Sequence, residues 1–594
     1  MKTTKLLILI IPLLMAACSR PVQKADVIFH NGIILTMEKE GARAEAVAVK
    51  DGKILAVGTE KEIKRYQGDS TRVVDMKGKT MVPGFVDPHS HFISAVISSL
   101  SANISSPPID SVRCIKDITG KLLELKKHLN SLPGDILVGM GLDPDQLAEK
   151  RYPTIADLDK LFPDNPVVLV HASGHICVAN SYALKLAGIN EHTPDPAGGT
   201  IRRINGTKKP DGVLFENAWF GSISRFAMPT ARKIVEKVIG SRAEEKKKGE
   251  KITALPADID VKFGKLVDHA QQMYASCGYT TAQEGSSEAG TIAFLKLAAK
   301  EKKLYIDVVS LVASDLVDSL VGNPAFTFGI YSDHLVFHGA KFICDGSPQG
   351  KTAYLSEPLL PGSGCQHDCS GKPNISQQEL NRLMKKCYQY KIPVFAHCNG
   401  DSAIDMYIAA HENAIRELNL PDTNRGSVII HSQIIRPDQL HKYKIHHIFP
   451  SFFSNHTFYW GDIHIVNLGK ERAFFISPMK AALDSGIVFS NHTDYNVTPL
   501  NAIFTIWTAV NRVSRNGVVV GPDQRITPYE ALKAITINGA IEMGEQKNKG
   551  SIEPGKFADF AILSDNPLTL TPMQIKGISV IETIKEGKNV YKTK

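Results

Sequence analysis

Nine short apolar runs between residues 85 and 490, mostly separated by stretches of helical periodicity, constrain this chain more than any other feature. They are Phe85–Asp87, Val167–Val170, Tyr279–Gln283, Ile306–Val312, Val336–Cys344, Val394–Ala396, Val428–Ile430, Ile448–Phe453 and Ile487–Ser490. Buried strands alternating with amphipathic helices specify an α/β fold with a parallel sheet. Eight such strands make a (β/α)8 TIM barrel, so one run is surplus. The interval from Phe92 to Gly278 is far longer than a βα unit of roughly 30 residues. Val167–Val170 is therefore assigned to a large insertion after strand 1, residues 93–278, within a barrel spanning 83–544.

Both ends of the chain read instead as short strands. Val27–Phe29 and Ile33–Met37 flank Asn31-Gly32, and Ala46–Val49 and Ile54–Val57 flank Asp51-Gly52. Such dipeptides supply the positive φ angles of tight hairpins. The style returns in Phe557–Leu563, Val580–Ile584 and Val590–Tyr591. Two β-rich ends can share one small β-sandwich around a central domain, and residues 25–82 and 545–594 are assigned to it. A hydrophobic content of 43% and a charged content of 22% fit a globular chain and exclude disorder, collagen and coiled coil. The net charge of +8, from 69 basic and 61 acidic residues, has no tract long enough to follow a nucleic-acid backbone. No nucleic-acid partner is expected; the length leaves room for a homo-oligomer.

Residues 1–17 read as a secretory signal. Lys2 and Lys5 precede a twelve-residue apolar run, Leu6–Ala17, too short for a bilayer that needs about 20 residues. Leu14-Met15-Ala16-Ala17-Cys18 resembles a bacterial lipobox, which is cut before the cysteine so that the Cys18 thiol carries a lipid. An ordinary cleaved signal with an incidental cysteine is the alternative. The expectation is an exported lipoprotein anchored to the membrane on its periplasmic face, with Ser19 favouring the outer membrane by analogy. Cys365 and Cys369, in a Pro/Gly-rich loop, are spaced for a local disulfide, which a chain of this size does not need in order to fold. The mixed-charge run Ser241–Lys251 reads as a solvated helix end.

Ionisable residues stand at the ends of the apolar runs. His89 and His91 follow the first, and an i, i+2 pair leaving a strand points both imidazoles to one face, where they can chelate a divalent cation. Lys341 lies within an apolar strand, where an inward ammonium is costly unless it is paired or neutralised. It is either salt-bridged or carbamylated by CO2 into an anionic ligand able to bridge two metals. His397 and His431 end two successive strands and are 34 positions apart, the length of one βα unit. Asp494 follows the last strand, where a carboxylate can bind metal through one oxygen and take a proton through the other; His492, two residues earlier, is a candidate substrate contact. Each is weak alone. Together they mark strands 1, 4, 5, 6 and 8 at the carboxyl ends, where barrel enzymes place their chemistry.

This pattern resembles the amidohydrolase superfamily, in particular the amidohydrolase family 3 branch that includes N-substituted formamide deformylases. The likeness runs from about Val27 to Tyr591. It rests on Pro83–His91, Lys341–Gly346, Ala396–Ala403, Ser477–Gly486, Thr527–Leu532 and Gly550–Asp559. The resemblance implies one or two metals, usually zinc, held by His89, His91, His397, His431, Asp494 and a carboxylated Lys341, with Asp494 as acid and base. It also implies that Ser173-Gly174-His175 with Asn180-Ser181, and Gly198-Gly199 with Gly212-Val213-Leu214-Phe215-Glu216, shape the substrate pocket, with His175 a direct contact and Asp143 a further candidate. Two departures, Leu142 where the family often has tryptophan and Ile430 where glutamate is common, bear on the substrate and leave the donor set intact.

The expected activity is hydrolysis of a C–N bond in an amide or an N-formyl or N-acyl amine by metal-activated hydroxide. A small-molecule amide is the expected partner. The same fold would serve a lactonase or a phosphotriesterase-like hydrolase, and a chain lacking a metal ligand would be a catalytically dead, lipid-anchored binding protein. No ligand of the set is missing here.

Overall fold

In the computed structural model, residues 23–98, 100–107, 109–224, 257–365 and 369–593 are described. The signal segment, Cys18 and the Ser241–Lys251 run lie outside them. Eight parallel strands form one curled sheet in sequence order. They are β1 (Phe85–Val86), β2 (Tyr279–Ser287), β3 (Asp307–Ala313), β4 (Leu335–Ile343), β5 (Val394–Cys398), β6 (Ser427–His431), β7 (Phe449–Phe452) and β8 (Ser490–Asn491). Helices return the chain between them, including α1 (Ala289–Lys300) after β2, α2 (Gln377–Gln389) before β5, α3 (Asp401–Glu417) after β5 and α4 (Pro437–Ile445) after β6.

Strand alternation sorts the side chains into two layers. In β5, Val394, Ala396 and Cys398 pack outward against the helices, whereas Phe395 joins Leu311, Val428 and Ile430 inside the curl. His397 shares Phe395's parity and so comes to the mouth. The same alternation would send His431 outward with Ile429. A left-handed backbone at His431 (φ 74) and Ser432 (φ 45), costly for residues with a Cβ, interrupts the pleat there.

No strand ladder joins β8 to β1 among the described residues. The seam is held by other means. Val86 N–H donates to the Ile535 carbonyl, and Asn538 Nδ2 donates to the Phe489 carbonyl, so the segment around Ile537–Glu542 wedges the gap from below. Near the mouth, the Asp87 carboxylate accepts from both the amide and the hydroxyl of Thr493. The last strand is shorter than the apolar run Ile487–Ser490 suggests, because Ile487 and Phe489 pack into the outer core before pairing begins.

Between β1 and β2 the chain builds a separate six-stranded sheet from Ala102–Asn103, Leu137–Leu142, Val167–His171, Ile176–Ala179, Gly199–Arg203 and Pro210–Glu216. The two chain ends build a further pair of sheets. One has four strands, Lys53–Gly58, Ala46–Lys50, Val27–His30 and Arg72–Asp75; in the other, Phe560–Leu563 from the far end pairs antiparallel with Thr80–Pro83. Phe29 and Phe560 meet edge to face at 5.8 Å between them.

The two turn dipeptides behave differently. Asp51 (φ 49) and Gly52 (φ 75) close an antiparallel hairpin between Lys50 and Lys53, as the sequence suggests. Asn31-Gly32 does not close one. Val27–His30 already pairs on one side with Ala46–Lys50 and on the other with Arg72–Asp75, so Ile33–Leu35 crosses to the second sheet. Gly32 serves that crossing: a Cβ there would lie 2.7 Å from the Lys79 carbonyl.

Candidate active site

The carboxyl ends of β1, β4, β5, β6 and β8 bring together His89, His91, Lys341, His397, His431 and Asp494. Lys341 Nζ lies 3.1 Å from His89 Nε2, and Asp494 Oδ1 lies 3.5 Å from the same nitrogen and 3.6 Å from His91 Nε2. Asp494 Oδ2 is 3.9 Å from His431 Nε2, which is 3.0 Å from His397 Nδ1. One ligand atom from each of His89, His431 and Asp494 falls within 4.8 Å of the others. Asp494, like His431, has a left-handed backbone (φ 51).

The electrostatics suit a divalent cation. Burial holds His89, His397 and His431 well below the ordinary histidine value, so each presents a neutral imidazole, the form that ligates. Burial opposes the charge on Asp494, but His91 and His492 outweigh it and keep the carboxyl below its usual value. Burial also works against a charged His91, yet its bonds to Asp494 and Glu284 push it up to about 9. Burial brings Lys341 down to about 8, so its neutral amine is far more accessible than that of an exposed lysine. The neutral imidazoles of His89, His397 and His431, the Asp494 carboxylate and a lysine lowered toward neutrality form a donor set that fits zinc.

A second tier orients these donors. Gln283 Oε1 lies 2.7 Å from His89 Nδ1, and Glu284 Oε1 lies 3.7 Å from His91 Nδ1 while its other oxygen accepts from the Ile93 amide at 2.7 Å. The sequence reading passed over both; their signal is two polar residues closing the apolar run of β2. Asp345 accepts from the amides of Asn399 and Gly400 at 2.9 and 2.7 Å, pinning the turn after His397. His492 is fully buried, with Nε2 3.1 Å from His431 Nδ1 and Nδ1 3.2 Å from Ser451 Oγ.

The sheet inserted between β1 and β2 supplies His175, whose ring centroid is 4.7 Å from that of His397. Its Nδ1 is 2.7 Å from Glu216, and that carboxylate also accepts from Thr352 Oγ1 at 2.7 Å and Asn374 Nδ2 at 3.2 Å. Asp143 is not brought to the metal donors. It lines a narrow adjoining pocket of about 10 Å³, room for one water, with Ser105, Trp460, Val497 and Arg515, and accepts from Trp460 Nε1 at 3.3 Å. Burial pushes its carboxyl up to about 6.

A curled parallel sheet with imidazoles, a lysine and a carboxylate gathered at its carboxyl ends defines a hydrolase of the amidohydrolase type. The model of the Amidohydrolase family matches residues 72–591, and the chain belongs to that family, a hydrolase acting on carbon–nitrogen bonds. It is 30% identical over 582 residues to the amidohydrolase YtcJ of Bacillus subtilis, covering 95% of this chain and 99% of that one. It is 26% identical over 570 residues to the N-substituted formamide deformylase of Arthrobacter pascens, covering 95% and 98%. A crystal structure of an uncharacterized metal-dependent hydrolase from Pyrococcus horikoshii shares the fold, with a TM-score of 0.68 at 22% identity over 92% of this chain and 99% of that one.

Proposed function

We propose that the protein is a zinc-dependent amidohydrolase of small N-formyl or N-acyl amines, with His89, His91, His397, His431, Asp494 and a carboxylated Lys341 holding one or two metals. The convergence of donors from five separate strand ends, with His89, His431 and Asp494 inside 4.8 Å, carries this reading. Zinc held by these residues would acidify water toward neutrality and polarise a carbonyl oxygen.

The chain's own groups do the rest. The neutral Lys341 amine, 3.1 Å from His89, is the nucleophilic form that adds CO2 with loss of a proton. Asp494 takes the proton of the attacking water and returns it to the departing amine, because its two oxygens face His91 and His431 on opposite sides. His175, steadied by Glu216, meets the substrate from above, and His492 holds the His431 ring in place from below.

The test is a panel of N-formyl and N-acyl amines beside lactones and aryl phosphotriesters, run on protein whose metal has been counted. Turnover of the amides by zinc-loaded enzyme is expected. Turnover confined to the esters, or protein that takes up no stoichiometric metal, would overturn the reading. We also propose export and lipid anchoring through Cys18, which predicts that Cys18→Ser moves the protein out of the membrane fraction. Among the described residues, no helix is long and apolar enough to cross a membrane.

A further inference from the structure

Far from the strand mouth, three side chains from three successive segments converge behind β5 and β6. His411 comes from α3, Asp422 from the loop leading into β6, and His446 from the end of α4. One ligand atom of each lies within 4.8 Å of the other two. His411 Nε2 is 3.5 Å from Asp422 Oδ1, and His446 Nδ1 is 2.7 Å from Asp422 Oδ2.

Two observations set this group apart from an ordinary polar cluster. His411 is fully buried, yet its Nε2 has no hydrogen-bond partner, and neither has the Asp422 Oδ1 that it faces. Buried polar atoms are nearly always paired, so two orphans facing each other call for a shared partner. Moreover, the far nitrogen of each ring is already engaged. Tyr388 Oη is 2.6 Å from His411 Nδ1, and Glu412 Oε1 is 3.1 Å from His446 Nε2. Outer partners of this kind fix the tautomer and aim of metal-ligating histidines. In the tautomer whose Nδ1–H donates to Tyr388, Nε2 directs a lone pair at a carboxylate oxygen, and a cation between them resolves that repulsion.

We propose that His411, Asp422 and His446 form a second metal site, structural in character, for a first-row transition-metal dication. Two imidazoles and one carboxylate select zinc over calcium or magnesium, which prefer all-oxygen shells. Asp422, whose side chain is 31% exposed, leaves a side open for water as a fourth ligand. The neighbouring cation Lys442 is engaged by Glu412 at 3.4 Å, and Arg425 donates to the Pro421 carbonyl. The bound ion would fasten the 418–426 loop to α3 and α4, the helices that follow the strands carrying His397 and His431.

The experiment compares wild-type protein with His446→Ala and Asp422→Asn, each purified from zinc-supplemented cells without chelator. Zinc per chain is measured by inductively coupled plasma mass spectrometry, and the rise of Tm on adding zinc to dialysed protein is recorded. Each variant should hold one zinc fewer per chain than wild type and lose part of that rise. The control His441→Ala, on the exposed face of α4, should match wild type. Because the readout is a difference, it stands apart from the metal count at the strand mouth and from activity. Equal zinc content and equal Tm response in wild type and in folded Asp422→Asn, which keeps the side chain's shape, would overturn the site.

Discussion

The amide of Asp494 donates to the carbonyl of His89 across 3.0 Å, tying the residue after the last strand to the residue after the first. In a sheet whose outer strands share no ladder, this bond and the Asp87–Thr493 pair hold the mouth closed. The proposed acid–base carboxylate is thus also part of the seam. Its backbone does the structural work and, on the proposed mechanism, its side chain the chemistry, so the two can be separated by substitution.

Asp494→Asn keeps the backbone bond and removes the proposed proton carrier together with one anionic metal donor. On the proposed mechanism, kcat should fall by about 10²- to 10⁴-fold, the usual contribution of a positioned acid–base group, while Tm stays close to wild type. Steady-state kinetics on the best amide substrate and thermal unfolding check both halves. A variant retaining a tenth or more of kcat would show that another group moves the proton.

Gly285 stands against His89, the first of the proposed metal ligands. A Cβ there would lie 2.4 Å from His89 Cε1 and 3.0 Å from the Ser90 carbonyl, so Gly285→Ala must displace the ring. Metal affinity should weaken by about 10- to 100-fold, as when an orienting group is lost. Gly290→Ala is the control: it sits in α1 with open space around it and should gain a few tenths of a kcal/mol to about 1 kcal/mol. Competition against a chromophoric chelator reads the affinity.

Glu216→Gln tests the pocket rather than the centre. Glu216 reaches His175 from another strand of the inserted sheet, and it raises the His175 pKa against the effect of burial. Gln preserves the shape and the contact to Thr352 but removes the charge. KM should rise several-fold with little change in metal content, and the pH profile of kcat/KM should shift toward lower pH because His175 loses its stabilising anion. A fall in kcat alone, with KM unmoved, would place His175 in the chemistry instead.

The strand ends were legible in the sequence because a buried strand is a contiguous signal and its last residue has one place to go. His89, His397 and Asp494 could be read that way. His431 could not be read from alternation alone, since the pleat is broken by its own left-handed backbone. Gln283 and Glu284 were passed over because nothing local marks them: each acts through a histidine more than 190 positions away. Glu216, 41 positions from His175, was reached only through the family likeness of residues 212–216. Most strands of the inserted sheet also escaped, apart from Val167–Val170. They are short and antiparallel in part, and their core forms from residues such as Leu137, Leu169 and Val213 that are distant in the chain. The Asn31-Gly32 crossing has the same cause. A turn dipeptide fixes φ locally, but which strand lies beyond the turn depends on edges already occupied by Ala46–Lys50 and Arg72–Asp75.

At the opposite end of the sheet from the mouth, Asp307 at the start of β3 holds two ammonium groups. Lys549 donates to it, and Lys585, on a strand from the chain's far end, lies 3.1 Å from the same oxygen. All three are buried. Burial opposes the charge on Asp307, but the two lysines outweigh it and hold the carboxyl well below the usual carboxylate range. Asp307→Asn leaves two buried cations short of their counter-charge and should cost about 3–5 kcal/mol, the range for breaking a buried pair. The acid response follows from the same shift. A depressed folded-state pKa means that the unfolded chain binds the proton first, so the contribution of Asp307 is complete above about pH 4 and is lost as pH falls through the folded value. Wild-type stability, measured by urea unfolding, should therefore drop steeply below pH 4, and the Asp307→Asn protein should be less stable at pH 7 yet show a shallower acid slope. Parallel acid slopes in the two proteins would show that Asp307 is not the group that titrates.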